Sequence, residues 1–234
     1  MFNKITFMSL ENLLNQELVS QSEKFVNARF PKLVGVLGDL VRIPGIAWEA
    51  FDPENLEKSA QAVASLLEGT GVFDWVDIRR AEIPDADGKL GSPAVVARRA
   101  AKEGAPQILL YAHHDVQPPG DVANWVTPPF QPTVIDGRIF GRGAADDKAG
   151  IVAHLTSIQV LRDMVGPDFE LGISVFIEGE EEAGSPDSGT GSWTCRPWQL
   201  GSRMALGDGA VSVDRSSDAP VARIGRQDNC ATRQ

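Results

Sequence analysis

The sequence predicts an α/β fold, a mostly parallel sheet flanked by helices. Three observations lead there. Two apolar runs, Gln107–Ala112 (QILLYA) and Phe169–Ile177 (FELGISVFI), read as buried strands. Between them, Asp147 to Met164 carries Ile151, Val152, Leu155, Ile158 and Leu161 at helical spacing. Strand, helix, strand in this order is how a sheet acquires a covering helix layer. The chain has 234 residues, 42% hydrophobic and 23% charged, enough for one core and unlike a disordered, collagen-like or disulfide-stapled chain.

The remaining elements follow from local signals. Leu10 to about Arg29 reads as an amphipathic helix with Leu13, Leu14, Leu18, Phe25 and Val26 on one side. Pro31 opens a second helical stretch through Leu33, Val34, Leu37, Leu40 and Val41, closed by Ile43-Pro44-Gly45. Asp52-Pro53 starts a third, with Leu56, Ala60, Val63, Leu66 and Leu67 facing inward and Gly69 ending it. Val72–Arg79 and Pro93–Arg99 read as strands around a turn-rich Pro84–Ser92 loop. Asp136-Gly137 inside Phe130–Phe140 signals a hairpin.

A net charge of -10 makes nucleic acid and anionic membrane surfaces poor partners. No apolar run approaches the roughly 20 residues that span a bilayer. Glu11 interrupts the stretch after Lys4 before a signal-like apolar region develops, so a cytoplasmic location is expected. The two cysteines, Cys195 and Cys230, imply no disulfide.

Composition changes near residue 186. Residues 1–186 hold 14 Glu and 7 Lys, whereas residues 187–234 hold neither. Those are the main polar helix formers, so no amphipathic helix can be drawn from Asp187 to Leu200. The tail, with Trp193 and Trp198, is expected to be foreign to the preceding fold, as a shifted reading frame would make it; the alternative is a genuine loop-rich segment that includes Asp208.

Three polar clusters sit after strands or lead into the central helix: Ala112-His113-His114-Asp115, Gly141 to Lys148, and Glu178 to Ser185. Ligands of open α/β sheets bind beyond strand carboxyl ends, so clusters distant in sequence can converge there. Imidazole and carboxylate oxygens suit zinc. His113 and Asp115 are two residues apart, which on an extended segment puts both on one face and lets Asp115 fix the ring's tautomer. Consecutive Glu180, Glu181 and Glu182 repel one another, and either cations or a raised pKa on one carboxyl would relieve this. A raised pKa suits a general base near neutral pH. His114 falls on the opposite face from His113, toward the core, and His154 lies within a helix as a structural residue.

The texts YAHHDVQPPG, GRIFGRGAADDKAG and FIEGEEEAGS resemble, in order, three motifs of the di-zinc exopeptidase family of carnosinase-type dipeptidases, glutamate-type carboxypeptidases, aminoacylases and desuccinylases. The Asp-Val-Gln-Pro extension and Trp125…Pro128-Pro129-Phe130 are most similar to the dipeptidase branch. The resemblance covers roughly residues 20–186, the N-terminal part of a catalytic domain. It implies that His113 ligates one zinc and Asp115 orients it. It implies that the Asp146 carboxylate bridges both metals and that the peptide bond from Asp146 to Asp147 is cis. Glu181 matches the general base and Glu182 a ligand of the other zinc. The implied reaction is metal-assisted hydrolysis of an amide bond in a small peptide or an N-acyl amino acid.

The family's further aspartate ligand matches only Asp208, by spacing, and no histidine follows His154 to serve as its distal ligand. The inserted lid and dimerisation domain has no counterpart, and without it no oligomer is expected. The alternative is a catalytically inactive fragment that acts as a metal-binding or interaction module.

Overall fold

A computed structural model of the chain describes residues 16–83, 86–185, 210–212 and 223–225. The first helix, α1 (Gln16–Val41), is continuous. The sequence predicts a break at Pro31, yet Pro31 lies inside the helix. An interior proline removes one helical hydrogen bond and costs about 3 kcal/mol. Leu33, Val36, Leu37 and buried Leu40, all downstream of it, pack into the main core. Fully buried Leu40 alone contributes roughly 1.5–3 kcal/mol, and the partial burial of Leu33, Val36 and Leu37 adds to it, which offsets the proline and holds the helix through it.

The next helix, α2 (Glu54–Glu68), ends at Gly69 as predicted but begins one residue later, with Pro53 rather than Asp52 at its N-cap. Asp52 Oδ1 accepts a hydrogen bond from the Glu54 backbone N–H at 3.0 Å, satisfying one of the first-turn donors. Strand β1 (Trp75–Arg79) pairs antiparallel with β2 (Ala94–Arg99). Strand β3 (Gln107–His113) follows, then a hairpin of β4 (Thr133–Ile135) and β5 (Arg138–Phe140). Asp136 and Gly137 turn it with φ of 49° and 73°, the left-handed pair a two-residue hairpin needs.

Helix α3 (Lys148–Val165) leads into β6 (Gly172–Glu178). The four-stranded sheet has the order β1-β2-β6-β3. The α/β class is as predicted, but the pairing is mixed. Strand β6 runs parallel to β3 and antiparallel to β2, which is antiparallel to β1. The parallel pair is the one joined through α3, the long crossover such pairing requires. The link between β1 and β2 contains no helix among its described residues, and it returns the chain in the opposite direction. A separate pair, β7 (Ala210–Ser212) and β8 (Arg223–Gly225), is antiparallel.

The core gathers Val63 and Leu67 of α2, Val95 and Ala97 of β2, Ile151, Leu155 and Ile158 of α3, and Ile173, Val175 and Ile177 of β6. Strand β6 is buried as predicted. Strand β3 is not: Ile108, Leu109 and Tyr111 are 38%, 41% and 45% exposed. It forms an edge of the described sheet, so its apolar run is covered only in part. Among the described residues no helix is long and apolar enough to cross a membrane. The expectations for Trp193 and Trp198 lie outside the described residues.

Candidate metal centre

The parallel register of β3 and β6 sets His113 opposite Glu178 at the ends of both strands. The chain past His113 stays attached to β6, because the His114 backbone N–H donates to the Glu178 carbonyl at 2.8 Å. The first and third polar clusters therefore leave the sheet side by side. The second reaches the same place because α3 packs against β3 and begins at Lys148. Lys148 is buried, and its Nζ donates to the carbonyls of Leu40 and Ile43 at 2.8 and 2.9 Å. Burial pushes its ammonium down to about 8, with the Asp115 charge opposing.

His113 is 5% exposed. Its Nδ1 lies 3.3 Å from Asp115 Oδ1 and 3.2 Å from the Asp115 carbonyl oxygen, while Nε2 lies 3.0 Å from Asp146 Oδ1. Burial disfavours the imidazolium, but the hydrogen bond and charge of Asp115, with help from Asp146, outweigh it and raise His113 to about 9. A neutral ring donating from Nδ1 to Asp115 keeps its Nε2 lone pair for a ligand.

Asp115 is fully buried and does more than orient the ring. Its Oδ1 accepts from the Glu181 backbone N–H at 3.2 Å, and its Oδ2 from the Glu182 N–H at 3.0 Å. One carboxylate thus fixes both the imidazole and the short 3-10 turn Glu181–Ala183.

The three consecutive glutamates diverge. Glu180 is buried, and its Oε2 accepts from the Ser92 N–H at 2.8 Å. Glu182 lies on the other side, its Oε2 accepting from Gln117 Nε2 at 2.7 Å. Separation thus supplies part of the relief that the sequence assigns to cations or a raised pKa. Within this third cluster it is Glu178 whose carboxyl burial raises, and it takes a 2.7 Å hydrogen bond from the Tyr111 hydroxyl.

The peptide bond Asp146–Asp147 is cis. Asp147 Oδ2 accepts from the His113 backbone N–H at 3.3 Å, and burial raises this carboxyl. A Cβ at residue 150 would fall 2.2 Å from Asp147 Oδ1, so Gly150 permits that side chain to fold over the first turn of α3. His114 is fully buried, as its predicted orientation requires, and its Nε2 donates to the Pro93 carbonyl at 2.8 Å. Burial lowers it to about 4, which keeps the ring neutral. His154 Nε2 donates to the Tyr111 carbonyl.

His113, Asp146 and Glu182 each offer a ligand atom, and these atoms lie within 4.8 Å of one another. One imidazole and two carboxylates form a donor set suited to zinc. Asp115 and Glu181 adjoin the group, while Asp208 lies outside the described residues. Gln117, Lys148 and Glu178 stand within the sequence motifs without a role that the sequence alone assigns. The i, i+2 spacing that joins His113 to Asp115 extends one step further to Gln117, and that was the available signal.

Residues 109–212 match the sequence profile of Peptidase family M20/M25/M40. The chain is 37% identical over 132 residues to the cysteinylglycine-S-conjugate dipeptidase of Corynebacterium striatum, covering 56% of this chain and 26% of that protein. It is 40% identical over 93 residues to the succinyl-diaminopimelate desuccinylase of Methylorubrum populi, covering 39% and 24%. The crystal structure of human carnosine dipeptidase 1 superposes with a TM-score of 0.61 at 24% identity, covering 73% of this chain and 36% of that one. The chain therefore resembles the dipeptidase-like metallopeptidases and carries part of their catalytic fold. It spans about a quarter of the length of the curated relatives just described.

Proposed function

We propose that this chain is the N-terminal part of a zinc-dependent hydrolase that cleaves the amide bond of dipeptides or similar small substrates. The observation that carries the reading is the convergence of His113, Asp146 and Glu182 donor atoms within 4.8 Å, drawn from three separate clusters. In this reading His113 and Glu182 would hold different metal ions and Asp146 would be shared by both; Asp208 would be a further ligand only in the rival case that residues 187–234 are a genuine loop-rich part of the fold. When bound, the metal ions polarise the scissile carbonyl and acidify a water. Asp115 keeps His113 in the tautomer that leaves Nε2 free. Glu181, fixed through its backbone to Asp115, takes the water's proton on its carboxylate and returns it to the leaving amine. The substrate is a small peptide, with an N-acyl amino acid as the rival. Residues 187–234 are a stretch foreign to the fold, and reading the gene in a shifted frame near codon 186 is expected to restore a continuation of the hydrolase. A frame that restores nothing contradicts this.

A second reading, an inactive metal-binding fragment, is favoured by the donor count. The described group has three donors, which serve one ion better than two. Zinc titration and dipeptide hydrolysis on the 234-residue chain separate the readings. Zinc uptake that Glu182→Gln weakens, without turnover, supports the fragment reading. Turnover supports the enzyme reading for this chain. Absence of zinc uptake overturns both.

A further inference from the structure

We infer that Gln117 is a positioning residue that holds Glu182 ready for a cation, an inference that rests on the metal-centre reading above. Gln117 Nε2 donates to Glu182 Oε2 at 2.7 Å and to the Glu182 carbonyl oxygen at 3.2 Å. A single amide nitrogen therefore ties both the side chain and the backbone of Glu182. Asp115, two residues earlier, holds the same turn through the Glu181 and Glu182 N–H groups. The segment after β3 thus fastens Glu182 at its amide, its carbonyl and its carboxylate.

The chemistry of the donor matters. A lysine or arginine at 117 would also reach toward a carboxylate, but its charge would compete with a metal ion for Glu182. A carboxamide orients the oxygen and leaves the negative charge uncompensated. Carboxylate ligands are commonly held by such outer hydrogen bonds, and losing one costs about 10–100-fold in metal affinity or activity.

Gln117 is itself well supported. The chain that continues from it is braced by Arg142, whose guanidinium donates to the Pro118 carbonyl at 3.2 Å. Trp125 Nε1 donates to the Pro119 carbonyl at 2.8 Å, and the Arg142 guanidinium lies 5.1 Å from the Trp125 ring centroid. Arg142 belongs to the segment that runs on to Asp146. The loop bearing Gln117 and the loop bearing Asp146 are therefore fastened together, and Gln117 transmits that fixed position to Glu182.

The test compares the 234-residue chain with Gln117→Met, which keeps length but has no donor, and with Gln117→Asn, which keeps the carboxamide but is too short to reach. Zinc affinity is measured by competition with a chromophoric chelator. The visible spectrum of the cobalt-saturated protein and the unfolding midpoint of the metal-free protein are recorded beside it. Both variants are expected to bind zinc about 10–100-fold more weakly. The cobalt bands should shift while the metal-free midpoint stays put, which a loss of general stability would not produce. Zinc affinity and cobalt spectrum equal to wild type in either folded variant overturns the inference and leaves the metal centre standing. A wild-type chain that takes up no zinc overturns both.

Discussion

The Glu182 backbone N–H donates to Asp115 Oδ2 at 3.0 Å, so the residue that orients His113 also sets the position of a second candidate ligand. This coupling explains how donors distant in sequence stay in one arrangement before any ion arrives. In a fully buried place, Asp115 accepts from two backbone N–H groups and lies 3.3 Å from His113 Nδ1.

Asp115→Asn therefore tests more than the His113 ring. The new amide group must face either the ring N–H or one of the two backbone N–H groups, donor against donor. An unfolding free energy lower by about 1–3 kcal/mol is expected in urea titration of the metal-free protein. Zinc affinity should fall about 10–100-fold in the same variant. Unchanged stability and affinity would mean that the three contacts are incidental.

The metal-free chain should show a pH signature of His113. Its pKa in the folded chain is about 9, above the unfolded value of about 6.5. The folded state therefore holds more protons between those limits. The resulting stability is fully present below about pH 6.5 and is lost as pH rises through about 9. Relative to a His113→Gln variant, the wild-type unfolding midpoint should decline across that window. Zinc affinity, which requires the neutral ring, should climb over the same range. Parallel profiles for wild type and variant would contradict the assignment.

Glu181→Gln, placed at the equivalent residue of a full-length relative, is expected to abolish turnover while metal content stays nearly constant. A general base contributes about 10²–10⁴-fold, and glutamine cannot take the proton. Metal analysis of the purified variant decides the role. Loss of metal would make this residue a ligand instead.

The 234-residue chain alone should show little or no peptidase activity, because its described donors suit one ion rather than two. A steady-state assay with zinc and a panel of dipeptides checks this. Turnover of about 1–10³ per second, ordinary for enzymes, would defeat the expectation.

Much of this arrangement was legible in the sequence because strand and helix periodicities are local. The i, i+2 spacing of His113 and Asp115 placed both on one face, and the three motifs marked Asp146 and the glutamates. Other features depended on tertiary packing. The continuity of α1 through Pro31 is decided by core contacts of Leu33 to Leu40, which no local rule contains. The exposure of Ile108 and Leu109 follows from the edge position of β3, a property of strand order rather than of the run itself. The divergence of Glu180 from Glu182 depends on Ser92 and Gln117, each supplied from another part of the chain.

The measurement that bears most directly on the metal centre is anomalous diffraction at the zinc edge from crystals of the chain grown with zinc. The account predicts a peak coordinated by His113 Nε2 and by carboxylate oxygens of Asp146 and Glu182, at about 2.0–2.2 Å. A peak held by other residues, or full-strength zinc elsewhere with none at this group, would contradict it.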